Sequence, residues 1–398
     1  MRAELLDYLV CPGCGAALDL HPLRDDAADR REIEQGLLVC RACAVPYPLA
    51  EGIPRLLPNA FHRQREFRRE FSSQLSQIDF RESPLEDTQK FEALHRLTAR
   101  AFGYEWNTYR VTPREEDLVT FFWLTGADPE LYDQLSVDDV FSFYPAAADL
   151  EKIDGSHLAG KTVLDVGCGM GKYLDVVSDY AGTVIGLDLS GALVRARAVL
   201  KDRRNVHLVQ GNILAPPLKP AFADFAYSLG VLHHTPDTHA AFLSSASLVK
   251  PGGQLSVWLY PKEKEPSAYA ERIHWIQDDV IRPITCRMPP RMLRMFSGIL
   301  GRLTFVRDRA AARHQATGSR IARRVAAYAG LVAVGRHRDP EIAAFLNFDW
   351  YSPQYRSYHT EEEVERWYCE AGFEGIRMLP QRVSAVAVRR SDRSRGIA

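Results

Sequence analysis

Short apolar runs alternate with helically spaced segments from residue 162 to residue 259. The runs are Thr162-Val163-Leu164-Asp165-Val166, Thr183-Val184-Ile185-Gly186-Leu187-Asp188, Val206 to Asn212, Asp224 to Ser228 and Gln254 to Leu259. Runs of this length, closed by glycine or a polar residue, read as buried strands of a parallel sheet, with the intervening segments as crossover helices. Gly191 to Lys201, capped by Ser190, and Thr238 to Val249 are two such helices, and Ser136 to Leu150 leads into the first strand. Past residue 349 the pattern returns. Thr360 caps a helix over Glu361 to Ala371 that carries acids in its first turn and ends at Gly372. Ile376 to Leu379 and Ser384 to Val388 then supply a final antiparallel pair. The fold class is α/β with a Rossmann-like sheet, interrupted between Tyr260 and Asp349 by a helical insertion.

The N-terminal third has a different texture. Asn59 to Arg100 is charged, with phenylalanines at 61, 67, 71, 80 and 91, and reads as a linker with surface helices. Phe102-Gly103-Tyr104-Glu105-Trp106-Asn107-Thr108-Tyr109 sets four aromatics in eight residues, too apolar for a linker. It reads either as a lid over a ligand or as packing for the N-terminal helices.

The first apolar run ends in Gly167-Cys168-Gly169-Met170-Gly171-Lys172. Such a turn at a strand end lets a ligand approach the backbone, because a side chain there would hold it away. A dinucleotide fingerprint requires Gly-x-Gly-x-x-Gly. Here the third glycine comes one place early, and Asp165 would repel a pyrophosphate while suiting a cation. The ligand indicated is S-adenosylmethionine rather than NAD. Asp188, at the second strand end, is the bidentate acceptor a ribose diol needs. Asn212 closes the third run, where an adenine would lie. His233 and His234 follow the fourth run, and an imidazole there suits a base acting near neutral pH.

Val163 to Tyr173 resembles motif I of the class I S-adenosylmethionine-dependent methyltransferases. Leu229-Gly230-Val231-Leu232-His233-His234-Thr235-Pro236-Asp237 resembles motif IV of their ubiquinone-biosynthesis-type subgroup, and Leu248 to Gly253 matches the turn into the fifth strand. The resemblance implies a seven-stranded methyltransferase sheet. It implies cofactor contacts from Asp165, Gly167, Cys168, Gly169 and Gly171, from Asp188, Leu189 and Ser190, from Gly211, Asn212 and Ile213, and from Leu229, with Trp106 in a lid. Relatives commonly carry Asp where this chain has Asn212. The ending Phe348 to Thr360 also resembles the subgroup and implies Asp349, Tyr351, Tyr355 and His359 at the substrate mouth. No Asn-Pro-Pro-Tyr-type tetrapeptide follows the fourth run, which argues against methylation of base or glutamine amino groups.

Four of the seven cysteines form two C-x-x-C pairs, Cys11 with Cys14 and Cys40 with Cys43. Four thiolates from two tight turns make a closed, structural zinc site with no place for a reactive water. Leu5 to Pro12, Tyr47-Pro48-Leu49 and Glu51 to Leu57 resemble the small zinc-ribbon proteins that activate RNA and translation-factor methyltransferases, here fused to an enzyme domain. The domains read from the sequence are a zinc ribbon over 1–58, a helical linker and lid over 59–135, a cofactor-binding core over 136–260, a basic cap over 261–348 and a C-terminal part over 349–390.

The net charge of -1 favours no polyanionic partner by itself. No apolar run reaches the roughly eighteen residues of a membrane span, and the acids in Met1 to Val10 exclude a signal peptide, so a cytoplasmic protein is expected. Charge is nevertheless segregated: Arg282 to Arg338 holds thirteen arginines and one acid, Asp308. A face for an anionic small substrate, a membrane-surface helix, an RNA-binding patch and a solvated helical pair all fit that pattern. Two function classes follow: a methyltransferase acting on a small-molecule or lipid-like metabolite, and an RNA- or protein-binding relative that uses the ribbon and the arginines.

Overall fold

The computed structural model describes residues 1–25, 32–109, 120–122, 124–126, 155–262, 266–334 and 339–391. The helix predicted over residues 136–150 lies outside them. The chain divides into two compact units, one of Met1–Arg96, Val111–Lys262 and Ser357–Ala398, the other of Leu97–Arg110 and Glu263–Arg356. The N-terminal ribbon therefore shares a unit with the α/β sheet, although its sequence reads as a separate domain.

The first unit opens with a four-stranded antiparallel sheet of β1 (Leu18–Asp25), β2 (Ile33–Cys40), β3 (Pro46–Ala50) and β4 (Ile53–Pro54). Side chains alternate across a strand, and both faces of β2 are covered. Leu38 and Cys40 join a core with Leu164, Ile185 and Val209 of the larger sheet, while Leu37 and Val39 pack against Phe61, Phe67, Phe71 and Leu75. The stretch read as linker and surface helices thus supplies the second layer of the ribbon, and three of its phenylalanines are buried.

The larger sheet contains β5 (Thr162–Val166), β6 (Thr183–Asp188), β7 (Val206–Gln210), β8 (Ala223–Leu229), β9 (Val249–Trp258), β10 (Phe373–Met378) and β11 (Ser384–Arg389). Its order is β10-β11-β9-β8-β5-β6-β7, with β5 to β9 parallel and β11 antiparallel to both neighbours. Alternation again assigns the faces. Val163 and Val184 belong to one core, and Leu164, Val166, Ile185 and Leu187 to the core shared with the ribbon.

β7 would leave an open row of backbone groups. The ribbon covers it. Leu56 N donates to Gln210 O at 2.8 Å, beside a parallel bridge between Arg55 and Gln210. Val10 N donates to Pro217 O at 3.1 Å, and Lys219 N to Tyr8 O at 2.8 Å. With Met1, Leu5, Leu9 and Leu56 buried in the same core as the sheet, a module too small to bury its own core is stabilised by its neighbour. Near the C-terminus, Thr360 caps the helix Glu361–Glu370 in a reciprocal capping box with Glu363.

The second unit is helical, with long elements over Pro290–Thr317, Arg320–Gly330 and Pro340–Tyr351. Gly301 permits the close crossing of the first and third, since a Cβ there would stand 2.9 Å from Ala344 N. Leu293, Leu300, Phe348 and Tyr351 form its core. Among the described residues, no helix is long and apolar enough to cross a membrane.

Candidate active site

Parallel strands bring their carboxyl ends to one edge of the sheet, and ligands of open α/β folds bind there. In the first unit β5, β6, β7 and β8 deliver Asp165, Asp188, Gly211 and Leu229 to that edge. Gly167, Gly169 and Gly171 all have positive φ, at 93°, 53° and 84°. Space adds a second constraint: a Cβ on Gly167 would lie 2.3 Å from Val231, and one on Gly171 2.7 Å from Leu200.

Asp188 is held on both oxygens. Gly169 N donates to Oδ2 at 2.9 Å and Ser190 N to Oδ1 at 2.7 Å. A carboxylate has about four acceptor positions, so each oxygen keeps capacity for a ligand hydroxyl. The second loop is tied to the third strand, because Gln210 Nε2 donates to Leu189 O at 3.1 Å and Ser190 O at 3.2 Å. Arg55 of the ribbon donates to Gln210 Oε1 at 3.1 Å. A hydrogen-bonded chain thereby runs from the ribbon to the loop that carries Asp188.

Asp165 is 3% exposed. Burial pushes its carboxyl up to about 8; the Tyr227 hydroxyl, which donates to Oδ2 at 3.0 Å, opposes the rise and the nearby Asp188 charge adds to it. Cys168 and Ile213 are buried, and burial pushes the Cys168 thiol well up. Asn212 accepts from Leu214 N at 3.1 Å through Oδ1, and its Nδ2 stands 3.3 Å from His95 Nε2. Burial lowers the His95 imidazole. The sequence reading missed His95 and Tyr227. Tyr227 pairs with Asp165 across β5 and β8, a register that no local pattern reveals.

His233 and His234 fall in a short turn after β8. Both are buried. The His233 ring stacks on Tyr260 at 3.8 Å between centroids, and the His234 ring meets it at 4.2 Å. Ser357 N donates to His233 O at 3.1 Å, and Ser357 Oγ lies 2.8 Å from His359 Nε2. His359 Nδ1 is 3.5 Å from Glu363 Oε2, so serine and carboxylate orient the ring from its two sides. Burial lowers the His359 imidazole, and the Glu363 charge raises it in part.

Trp106, Asp349, Tyr351 and Tyr355 belong to the second unit. The Trp106 ring stands 5.9 Å from Phe345. Asp349 shares a hydrogen bond with the fully buried Glu105, whose carboxyl is pushed well up by burial and by the Asp349 charge. Tyr351 donates to Val332 O at 2.7 Å, and Tyr355 receives a hydrogen bond from Gln354 Nε2 at 3.1 Å.

The ligating sulfurs of Cys11, Cys14, Cys40 and Cys43 all lie within 4.8 Å of one another. A tetrahedral zinc with bonds of about 2.3 Å has sulfur–sulfur edges of about 3.8 Å. The pairs Cys11–Cys43, Cys14–Cys40 and Cys14–Cys43 stand at 3.7, 3.4 and 3.8 Å, so the four thiols fit the ion. Burial raises the Cys40 thiol, but the N–H groups of Cys43 and Ala42 outweigh it, for a net fall to about 7. The Tyr47 hydroxyl, 3.3 Å from Cys11 Sγ, supports the cluster from behind.

This sheet order, the glycine turn and the carboxylate on the adjacent strand define a domain of the methyltransferase type. Residues 164–257 match the methyltransferase domain family, and residues 2–52 the Trm112p-like proteins. The chain thus joins a methyltransferase domain to a Trm112p-like domain. The ubiquinone biosynthesis O-methyltransferase of Pseudomonas paraeruginosa is 34% identical over 115 residues, which cover 28% of this chain and 49% of that protein. Its counterpart in Pseudomonas fluorescens is 33% identical over 116 residues, again 28% and 49%. The chain spans about half the length of these curated relatives. A solved complex of the Haloferax volcanii Trm112 methyltransferase activator is similar at 13% identity and a TM-score of 0.33, over 58% of this chain and 83% of that one.

Proposed function

We propose that this protein is an S-adenosylmethionine-dependent methyltransferase acting on a small-molecule or lipid-like metabolite, with a structural zinc in its ribbon. The observation that carries the reading is Asp188, clamped by two backbone N–H groups beside a glycine turn at parallel strand ends. When bound, S-adenosylmethionine supplies an electrophilic methyl on a sulfonium. The chain's own residues bind and orient. Asp188 accepts from the ribose hydroxyls, and the glycine turn lets the ligand lie against the main chain. Asp165, ionised by a ligand cation, holds the amino-acid end, while Asn212 and Ile213 border the adenine. Leu189, Ser190 and Leu229 line the remaining edge.

Transfer requires nucleophile and methyl in line with water excluded. An acceptor hydroxyl, amine or carbon also surrenders a proton, and on this reading one of His233 and His234 is the base that takes it. His359, oriented by Ser357 and Glu363, receives substrate on this reading, whereas Tyr351, fully buried with its hydroxyl on Val332 O, is a core residue of the second unit rather than a substrate contact. The four cysteines hold zinc, which fixes the ribbon and hence Arg55 against Gln210. The test is calorimetric titration with S-adenosylhomocysteine, followed by an assay of methyl transfer to candidate acceptors. RNA retained at low salt and methylated by the protein would replace the metabolite as acceptor.

A further inference from the structure

The long helix Pro290–Thr317 is apolar on two opposite faces. Leu293, Ser297, Leu300, Gly301 and Thr304 are buried on one side. At 100° per residue, Met292, Met295, Ile299 and Val306 fall on the other, and all four are exposed, Met295 at 73% and Ile299 at 61%. Helix Arg320–Gly330 has one apolar side, with Ala322 and Ala329 buried and Ile321 (77%), Val325 and Tyr328 (72%) exposed along its flank. Eleven of the sixteen exposed large hydrophobics among the described residues lie between Tyr269 and Tyr328. Scattered exposure needs no explanation, but a concentration of this kind marks a surface that something covers.

Charge identifies what covers it. Arg302, Arg309 and Arg313 continue the Met295–Ile299–Val306 stripe; on the second helix Arg324 neighbours Ile321, while Arg320 and Arg323 fall on the polar side away from Ile321 and Val325. None of these six makes an ion pair among the described residues. A second copy of the chain would bring arginine against arginine across a self-complementary interface. A nucleic acid would satisfy the guanidinium groups but leave isoleucine and methionine in water. We infer that the outer face of these two helices docks onto an anionic lipid surface, with Met295, Ile299, Ile321 and Tyr328 in the acyl boundary and the arginines at the phosphates. The arrangement does not depend on the methyl-transfer reading, and its test uses no cofactor.

The full chain is sedimented with vesicles of phosphatidylcholine and phosphatidylglycerol at two parts to one, and with phosphatidylcholine alone. Binding to the mixed vesicles only, weakened by added salt, is expected. Arg302→Gln with Arg309→Gln and Arg313→Gln lowers partitioning about a hundredfold, since each basic side chain at an anionic surface contributes about 1 kcal/mol, or fivefold. Met295→Ser with Ile299→Ser and Ile321→Ser lowers it at unchanged charge. The substituted side chains are exposed, so circular dichroism should match the parent. The inference is overturned by equal binding to both vesicle types, by partitioning that neither variant changes, by retention of single-stranded RNA without vesicle binding, or by a dimer that the serine variant dissolves.

Discussion

Replacing Asp165 with Asn tests the electrostatics of the glycine-loop strand through the pH dependence of stability. The Asp165 carboxyl lies at about 8 in the fold, against an ordinary 3.8. A folded-state value raised in this way contributes stability that is fully present below 3.8 and is lost as pH rises through about 8. The slope is about 1.4 kcal/mol per pH unit, so between pH 5 and pH 7 the wild type should lose on the order of 3 kcal/mol relative to Asp165→Asn. Asparagine keeps an acceptor for the Tyr227 hydroxyl and carries no titrating proton. Any constant penalty from its amide, about 1–3 kcal/mol, shifts the curve without tilting it. The assay is urea denaturation of both proteins at pH 5, 6, 7 and 8. Saturating S-adenosylhomocysteine, whose ammonium would pair with the carboxylate, should flatten the difference. A stability difference that stays level from pH 5 to pH 8 without ligand would refute the burial argument.

Arg55→Ala should weaken cofactor affinity by roughly fivefold, the worth of about one hydrogen bond. Gln210→Ala should do the same, with the double variant no weaker than either single one, as read by calorimetry in a double-mutant cycle. Zinc should be present at about one ion per chain, and its chelation should lower the melting temperature of the first unit; Cys14→Ser should lower it without added chelator. Glu105→Gln should remove a loss of stability on raising pH, because the Glu105 carboxyl is pushed above its ordinary value, and its contribution is present below 4.5 and declines above it. Melting curves at pH 5 and pH 8 check this.

The strands around the glycine turn were legible because each is a local apolar run ended by the residue that does its chemistry, as Asp188 ends β6. The cysteine cluster was legible from spacing alone. What the sequence concealed lies in pairings between distant segments. Tyr227 reaches Asp165 only through the register of β5 against β8. His95 meets Asn212, 117 positions away. Phe61, Phe67 and Phe71 read as part of a solvated linker because charges separate them, yet they bury against Leu37 and Val39 on a strand covered on both faces. The ribbon's role beside the β7 edge was equally hidden, since Leu56, Val10 and Tyr8 form those contacts through backbone groups that carry no sequence signal.

The proposal stands most directly on whether Asp188 accepts a ribose. Calorimetry of the zinc-loaded chain with S-adenosylhomocysteine should give saturable binding at one site, and Asp188→Ala should weaken it by roughly a hundredfold or more, because two hydrogen bonds to a charged acceptor contribute about 1.5–3 kcal/mol each. Absence of heat with the folded wild type, or equal affinity in the alanine variant, would contradict it.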